Sequence, residues 1–171
     1  MVKVHNKFFD NHFDLSKVIR DMDHRWYTKD KIDNNFHWGS GVTDFSKPIS
    51  LHTIRKDNPI YSIISNRCNE LLNERPANMI YCWWPPGSYI PWHNDHNKDG
   101  TRIMATTIYL NENWNNTNGG LFQYIQDDNV YSVKPELNTA VSISTGIEHS
   151  TTILSSKVKV RKSIQCWYYK K

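Results

Sequence analysis

Long apolar runs are missing from this 171-residue chain. No stretch approaches the ~20 apolar residues that span a bilayer as a helix. The opening Met1-Val-Lys-Val-His-Asn-Lys-Phe-Phe-Asp10 also lacks the apolar region of a signal peptide. Cysteine is scarce: Cys68, Cys82 and Cys166 lie far apart, and no C-x-x-C is present. An odd count at such spacing argues against a disulfide framework or a zinc finger and for a reducing compartment. These absences lead us to expect a soluble protein of the cytoplasm. Strong charge of one sign is missing as well. A net charge of +4 neither demands nor excludes a nucleic-acid partner. No internal repeat or linker divides the chain, so residues 1–171 are expected to form one domain.

What the chain has in quantity is aromatic residues, with Trp 7, Tyr 9 and Phe 6. That content suits a β-rich core or a flat binding surface. Helical periodicity is confined to the first part of the chain. Leu15, Val18, Ile19 and Met22 recur at i, i+3, i+4, i+7, which predicts a helix over 14–23 capped by Asp14. Asn58 before Pro59, with Ile60, Ile63, Ile64, Leu71 and Leu72 near one stripe, predicts a second that ends by Asn73. Between 24 and 56, Trp26, Phe36 and Trp38 suit short strands or a packed loop. After Glu74 the texture changes to short strands at 79–84, 89–92, 103–110, 120–125, 129–133, 139–144 and 158–168. Turn signals such as Pro85-Pro86-Gly87 and Asn115-Asn-Thr-Asn-Gly-Gly120 separate them. Strands of this kind suggest a sandwich or jelly roll. Helices first and strands later suggest helices packed on the outer face of one sheet.

His93 and Asp95 form an H-x-D in Tyr89-Ile-Pro-Trp-His-Asn-Asp-His96. On a strand alternate side chains share a face, so these two are expected to project together while Trp92 and Asn94 turn away. His149, in Gly146-Ile-Glu-His149, must then arrive from a distant strand. Two His and one carboxylate are the donors of a non-haem Fe(II) site with open positions. A zinc hydrolase could use the same set. His96 is a rival ligand, but alternation turns it outward, and a loop position is expected for it. Near the C-terminus Arg161, Ser163, Gln165 and Trp167 alternate onto one face. A polar inward face with an Arg at one end is a poor core strand and a good anion pocket, since Arg pairs well with carboxylates. Lys157 or Lys159 takes that place if the register slips. Tyr109, on the 103–110 strand, could share the same carboxylate or pack in the core.

Taken together, these residues resemble the Fe(II)/2-oxoglutarate-dependent oxygenases, specifically the prolyl 4-hydroxylase-like branch. Tyr89–His96 looks like the first metal motif of that family. Thr107-Ile-Tyr-Leu-Asn111, Trp114 and Gly119-Gly120 look like the strand, turn and paired glycines that follow. Glu148-His149 is similar to the distal histidine. Arg161–Tyr168 is similar to the final strand, with the Arg of hypoxia-sensing prolyl hydroxylases rather than the Lys of collagen-type members. The resemblance covers 79–169.

It implies a mainly β fold, a double-stranded β-helix (jelly roll) with N-terminal helices packed on the major sheet. Residues 76–171 would form the metal-binding core, and 1–75 the helices and supporting strands. It implies Fe(II) on His93, Asp95 and His149. It implies 2-oxoglutarate with its far carboxylate on Arg161 and Tyr109, and Trp167 packed beside the site. Trp83, Trp84, Tyr89 and Trp92 are candidates for the pocket or its mouth, or for the core. Dioxygen is the second cosubstrate and ascorbate a stimulant. The implied activity is oxidative decarboxylation of 2-oxoglutarate to succinate and CO2, coupled to hydroxylation of a C–H bond. By family analogy a prolyl residue of a peptide or protein is the first-choice substrate, and a free amino acid or small metabolite the second.

The nucleic-acid demethylases of the wider family carry a second Arg six residues beyond the first, and Trp167 stands there, so nucleic acid is not expected as a partner. The presence of Asp95 argues against a halogenase. A non-catalytic jelly-roll binding module that kept these residues by descent is the reading from another class. With Lys171 four residues beyond Trp167, no C-terminal substrate clamp is expected. Residues 24–56, with Trp26, Phe36, Trp38 and Gly39-Ser-Gly41, would suit a lid. Residues 1–75 show no alignable match.

Overall fold

Asparagine, not aspartate, starts the first helix. The computed structural model describes residues 1–28, 33–36, 47–97 and 99–170. Helix α1 (His12–Thr28) outruns the expected 14–23 at both ends. The Asn11 side chain accepts the Asp14 N–H at 2.7 Å and donates to the Asp14 carboxylate at 2.8 Å. Asn11 therefore caps, and Asp14 sits in the first turn, where its charge meets the positive end of the helix dipole. Helix α2 (Pro59–Leu72) begins and ends as expected. Asn58 Oδ1 accepts the Ile60 N–H at 2.9 Å, and Asn73 closes the helix in the left-handed region at φ 57°.

Two antiparallel sheets follow. The larger contains β1 (Val2–His5), β2 (Asp33–Phe36), β3 (Ile49–Thr53), β4 (Asn78–Trp84), β6 (Arg102–Tyr109), β9 (Ala140–Ser144) and β11 (Arg161–Tyr169). Its order is β1-β9-β6-β11-β4-β3-β2. The smaller contains β5 (Ile90–His93), β7 (Phe122–Gln126), β8 (Asn129–Val133) and β10 (His149–Thr151), in the order β5-β10-β7-β8.

Period-2 alternation sorts the larger sheet into two faces. Tyr81 and Trp83 of β4, Met104 and Ile108 of β6, and Ile164, Cys166 and Tyr168 of β11 pack in one buried cluster with Val18 and Met22 of α1 and Ile64 and Cys68 of α2. Trp26 stacks on Trp83 at 5.5 Å, and the Tyr81 hydroxyl donates to Asp21 at 2.8 Å. Both helices thus cover the outer face, as expected. The inner face, with Cys82, Trp84, Ala105, Tyr109, Val141 and Ile143, turns to the smaller sheet. All three cysteines are unbridged and buried. Among the described residues no helix is long and apolar enough to cross a membrane.

The ambiguous 24–56 stretch supplies the end of α1, the edge strand β2 and its neighbour β3. Trp38 and Gly39-Ser-Gly41 lie outside the described residues, as do the Phe36 side chain and most of the expected lid. The expected 120–125 strand starts later, at Phe122, because Gly119 and Gly120 both adopt positive φ, 67° and 63°. The 158–168 strand likewise starts at Arg161.

Candidate metal and cosubstrate site

Strands β5 and β10 are neighbours, and His93 lies directly opposite His149. Their rings stand 4.2 Å apart. β5 ends at His93, and Asp95 follows two residues later in the loop beyond the strand. Trp92 and Asn94 are exposed while His93 and Asp95 turn inward, as alternation predicts. Its Oδ1 is 3.9 Å from His93 Nε2, and its Oδ2 is 3.7 Å from His149 Nε2. One donor atom from each residue falls within 4.8 Å of the others. The two carboxylate–imidazole separations lie under the ~4.2 Å that ligands each ~2.1 Å from one ion can span. His96 is exposed, as expected of a loop residue.

The same local device aims both imidazoles. His93 Nδ1 lies 2.8 Å from the Pro91 carbonyl, and His149 Nδ1 lies 2.8 Å from the Ile147 carbonyl. A carbonyl can only accept, so Nδ1 carries the proton and the Nε2 lone pair is left for a metal. Burial, opposed by the Asp95 charge, holds His149 below the usual histidine range. That keeps the ring in the neutral form a metal requires. Arg102 is the neighbour that sequence reasoning missed. Its Nη1 stands 3.5 Å from Asp95 Oδ1, and its guanidinium lies 5.5 Å from the Trp167 ring and 6.0 Å from that of Tyr169. The one available signal was a cation at the start of a strand that follows the H-x-D turn.

The pocket continues inward from the triad past Ile90, Phe122, Thr151, Thr107 and Gln165 to Arg161. Arg161 opens β11 opposite Trp84 and is 1% exposed. Its guanidinium carbon lies 4.8 Å from the Trp84 ring centre and 5.1 Å from that of Tyr109. Arg161 Nε and Nη1 and the Tyr109 hydroxyl are buried without a hydrogen-bond partner among the described residues. No acidic side chain described here pairs with this cation. An uncompensated buried charge costs several kcal/mol, and native proteins satisfy nearly all such groups. The arrangement therefore calls for an anion with at least two acceptor oxygens. Burial, opposed by the Arg161 charge, pushes Tyr109 up to about 12, so its hydroxyl keeps the proton it would donate. Lys157 and Lys159 are exposed, so Arg161 is the cation that this stretch buries in the pocket.

The motif residues between the two ends build the pocket wall. Asn111 accepts the Lys162 N–H at 2.6 Å and donates to the Lys162 carbonyl at 3.1 Å, which pins β11 next to Arg161. Trp114 Nε1 donates to the Gly119 carbonyl at 3.0 Å. A Cβ on Gly119 would fall 2.0 Å from the Ile153 carbonyl oxygen, and one on Gly120 would fall 2.9 Å from Arg161 Cδ. The glycine pair is thus required by close approach to the chain behind the anion site. Of the four aromatics proposed for the pocket or mouth, Trp84 lines it. Trp83 faces the helices, Tyr89 is half-buried, and Trp92 is 43% exposed on the outside. A larger cleft of about 670 Å³ lies near Asp21, His52 and Asn58, away from the triad.

Two imidazoles and a carboxylate at the mouth of a double-stranded β-helix, above a buried arginine, are the features of a non-haem iron oxygenase that uses an acidic cosubstrate. Residues 78–169, more than half of the chain, match the 2OG-Fe(II) oxygenase superfamily. The chain belongs to that superfamily and is a 2-oxoglutarate-dependent dioxygenase whose cofactors are Fe(II) and 2-oxoglutarate. Its fold is similar to that of a Pseudomonas putida prolyl-4-hydroxylase, with TM-score 0.77 and 16% identity over 99% of this chain and 92% of that one. It is also similar to a Trichoplax adhaerens prolyl hydroxylase in complex with a hypoxia inducible factor oxygen degradation domain peptide fragment. There the TM-score is 0.75 and the identity 18%, over 98% of this chain and 83% of that one. A viral collagen prolyl hydroxylase from Paramecium Bursaria Chlorella virus-1, in its 2-oxoglutarate complex, gives TM-score 0.69 and 12% identity over 97% and 94%. No curated protein matches the chain.

Proposed function

We propose that this chain is a hydroxylase acting on a prolyl residue of a peptide or protein, with residues 1–171 working as one oxygenase domain. In this reading His93, Asp95 and His149 hold Fe(II), and Arg161 with Tyr109 holds the far carboxylate of 2-oxoglutarate. The observation that carries it is the set of unpaired donors on Arg161 and Tyr109, buried in the same pocket as the triad. A zinc hydrolase with the same three ligands would leave those donors without a purpose. The prolyl substrate is supported by the prolyl hydroxylases among the similar folds, one of them bound to a peptide.

Each residue has a defined task. Arg161 and the protonated Tyr109 donate to one end of the cosubstrate and so orient its other end toward the triad. The Pro91 and Ile147 carbonyls keep both Nε2 lone pairs aimed inward. Arg102 steadies the Asp95 carboxylate. Trp84, Ile90 and Phe122 exclude water from the space between. The bound iron supplies the oxidising chemistry that converts 2-oxoglutarate and dioxygen to succinate and CO2 and delivers one oxygen atom to the substrate C–H bond.

The test is succinate release by the purified protein with Fe(II), ascorbate and 2-oxoglutarate under air, beside Asp95→Ala and His149→Ala. Wild-type succinate, raised by a prolyl peptide that gains one oxygen atom and lost in both variants, is the expected result. Normal peptide hydroxylation by Asp95→Ala would contradict the ligand assignment.

A further inference from the structure

One polar pair in the pocket has no task in holding the metal or the far carboxylate. Arg161, Ser163, Gln165 and Trp167 share the inner face of β11, and Gln165 lies directly opposite Thr107 of β6. Both Gln165 and Thr107 line the pocket between the triad and Arg161. Thr107 Oγ1 stands 2.6 Å from Gln165 Oε1. That length suits an O–H···O bond and is short for N–H···O, so the hydroxyl donates and the amide oxygen is turned to β6. Gln165 Nε2, with two protons to give, is turned away from Thr107 and makes no hydrogen bond among the described residues. Other donors on the pocket wall are already engaged. The Trp84 indole donates to Ser163 at 3.0 Å, and both imidazole Nδ1 groups donate to carbonyls. A half-buried amide fixed at its oxygen and open at its nitrogen lacks an acceptor that a ligand can supply.

We propose that Gln165 donates to the metal-end carboxylate of 2-oxoglutarate, with Thr107 as its positioning residue. This rests on the reading above in which the triad holds Fe(II) and Arg161 the far carboxylate. Position along β11 selects the end. Gln165 is four residues from Arg161, ~13 Å along the strand. Trp167, two residues further, has the Arg102 guanidinium 5.5 Å from its ring, and Arg102 reaches Asp95. Gln165 therefore stands on the metal side of the pocket. A 2-oxo acid chelates a metal through its keto oxygen and one carboxylate oxygen. The second carboxylate oxygen keeps its lone pairs and part of the charge. Among Ile90, Phe122 and Ala105 that oxygen would lose water without a replacement. A neutral amide N–H replaces the water, and unlike a second cation it does not compete with the metal for the ligating oxygen. The Thr107 hydroxyl keeps the amide from turning over, which would set the Gln165 oxygen against the carboxylate.

The experiment separates the two ends with two acids. 2-Oxoglutarate carries both, and 2-oxopentanoate keeps the metal end but lacks the far carboxylate. The visible charge-transfer absorbance of the Fe(II) chelate, titrated without oxygen, gives Kd for each. Gln165→Leu is expected to weaken both acids by the same factor, about tenfold, and to shift the absorbance band. Arg161→Met weakens 2-oxoglutarate alone and leaves 2-oxopentanoate unchanged. Thr107→Val, which frees the amide, gives a smaller loss for both acids and keeps the test open if Gln165→Leu folds poorly. Gln165→Glu, which sets one carboxylate against another, gives the largest loss. Affinities and band unchanged in Gln165→Leu overturn the proposal. So does a loss confined to 2-oxoglutarate, which would put Gln165 at the far end. In both cases the loss in Arg161→Met shows that the far-carboxylate reading stands. If Arg161→Met weakens neither acid, that reading fails and the proposal falls with it.

Discussion

Asp95 and Arg161 show two ways in which a single side chain becomes part of a site. Asp95 was legible as a candidate ligand from its spacing to His93, although β5 ends at His93 and Asp95 stands in the loop beyond it, where a continuous strand was expected. The H-x-D spacing keeps both donors on one side across the strand end, which is why the residue could be named and the end of the strand could not. Arg161 was legible because a polar, alternating strand with an Arg at one end makes no sense as core. Arg102 was not, since its value lies in a contact to Asp95 made through space. The buried Arg161 cation leads to a prediction at this scale. Arg161→Met should raise the KM for 2-oxoglutarate at least a hundredfold. In the absence of 2-oxoglutarate it should hold or raise the urea midpoint, because it removes an unpaired buried charge. Cosubstrate at 100 times Kd should stabilise wild type by about 2.7 kcal/mol and the variant hardly at all. Equal cosubstrate stabilisation of both proteins would show that Arg161 does not hold the carboxylate.

At the scale of elements, legibility followed length and local chemistry. Helix α2 carries its own start and stop signals in Asn58, Pro59 and Asn73, and it lies where those signals put it. Strand β1 was invisible, and β10 was expected only as the distant strand that carries His149, without bounds. What defines both is pairing with distant partners, Val2 with Ile143 and His149 with Tyr124. The Gly119-Gly120 turn was legible as a turn, but its close approach to Ile153 and Arg161 was not. Gly119 and Gly100 have nearly the same φ, 67° and 63°, but only Gly119 faces backbone where a Cβ would stand. Gly100→Ala should therefore cost about 1 kcal/mol, the strain of a left-handed residue alone. Gly119→Ala should cost about 3 kcal/mol or more and weaken 2-oxoglutarate binding through Arg161. Urea midpoints of the two variants decide this, and equal losses would mean that the turn relaxes freely.

For the molecule as a whole, the two-sheet, two-helix plan followed from the order of periodicities, and the residue-by-residue register did not. Strand register depends on which distant strand lies alongside, and that information is absent from any one segment. The outcome is a protein with three wholly buried tyrosine side chains, Tyr81, Tyr109 and Tyr168. Burial pushes Tyr109 up to about 12 and the other two further still. The unfolded chain ionises these groups near pH ~10. Their contribution to stability is therefore complete below pH ~10. Above that the unfolded state loses protons that the folded state keeps, and stability falls by about 1.4 kcal/mol per pH unit for each tyrosine, about 4 kcal/mol for the three. Urea midpoints between pH 8 and 11.5 should be flat and then drop steeply. A profile that stays level to pH 11.5 would mean that these hydroxyls reach solvent.

The division of the site between two sheets bears on how such a protein diversifies. His93 and His149 lie on the smaller sheet, while Arg161 and Tyr109 lie on the larger one. The outer edge strand β8 carries none of these four residues. Substitutions confined to Asn129–Val133 therefore leave both walls of the pocket in place, and that strand is free to vary as the enzyme diverges.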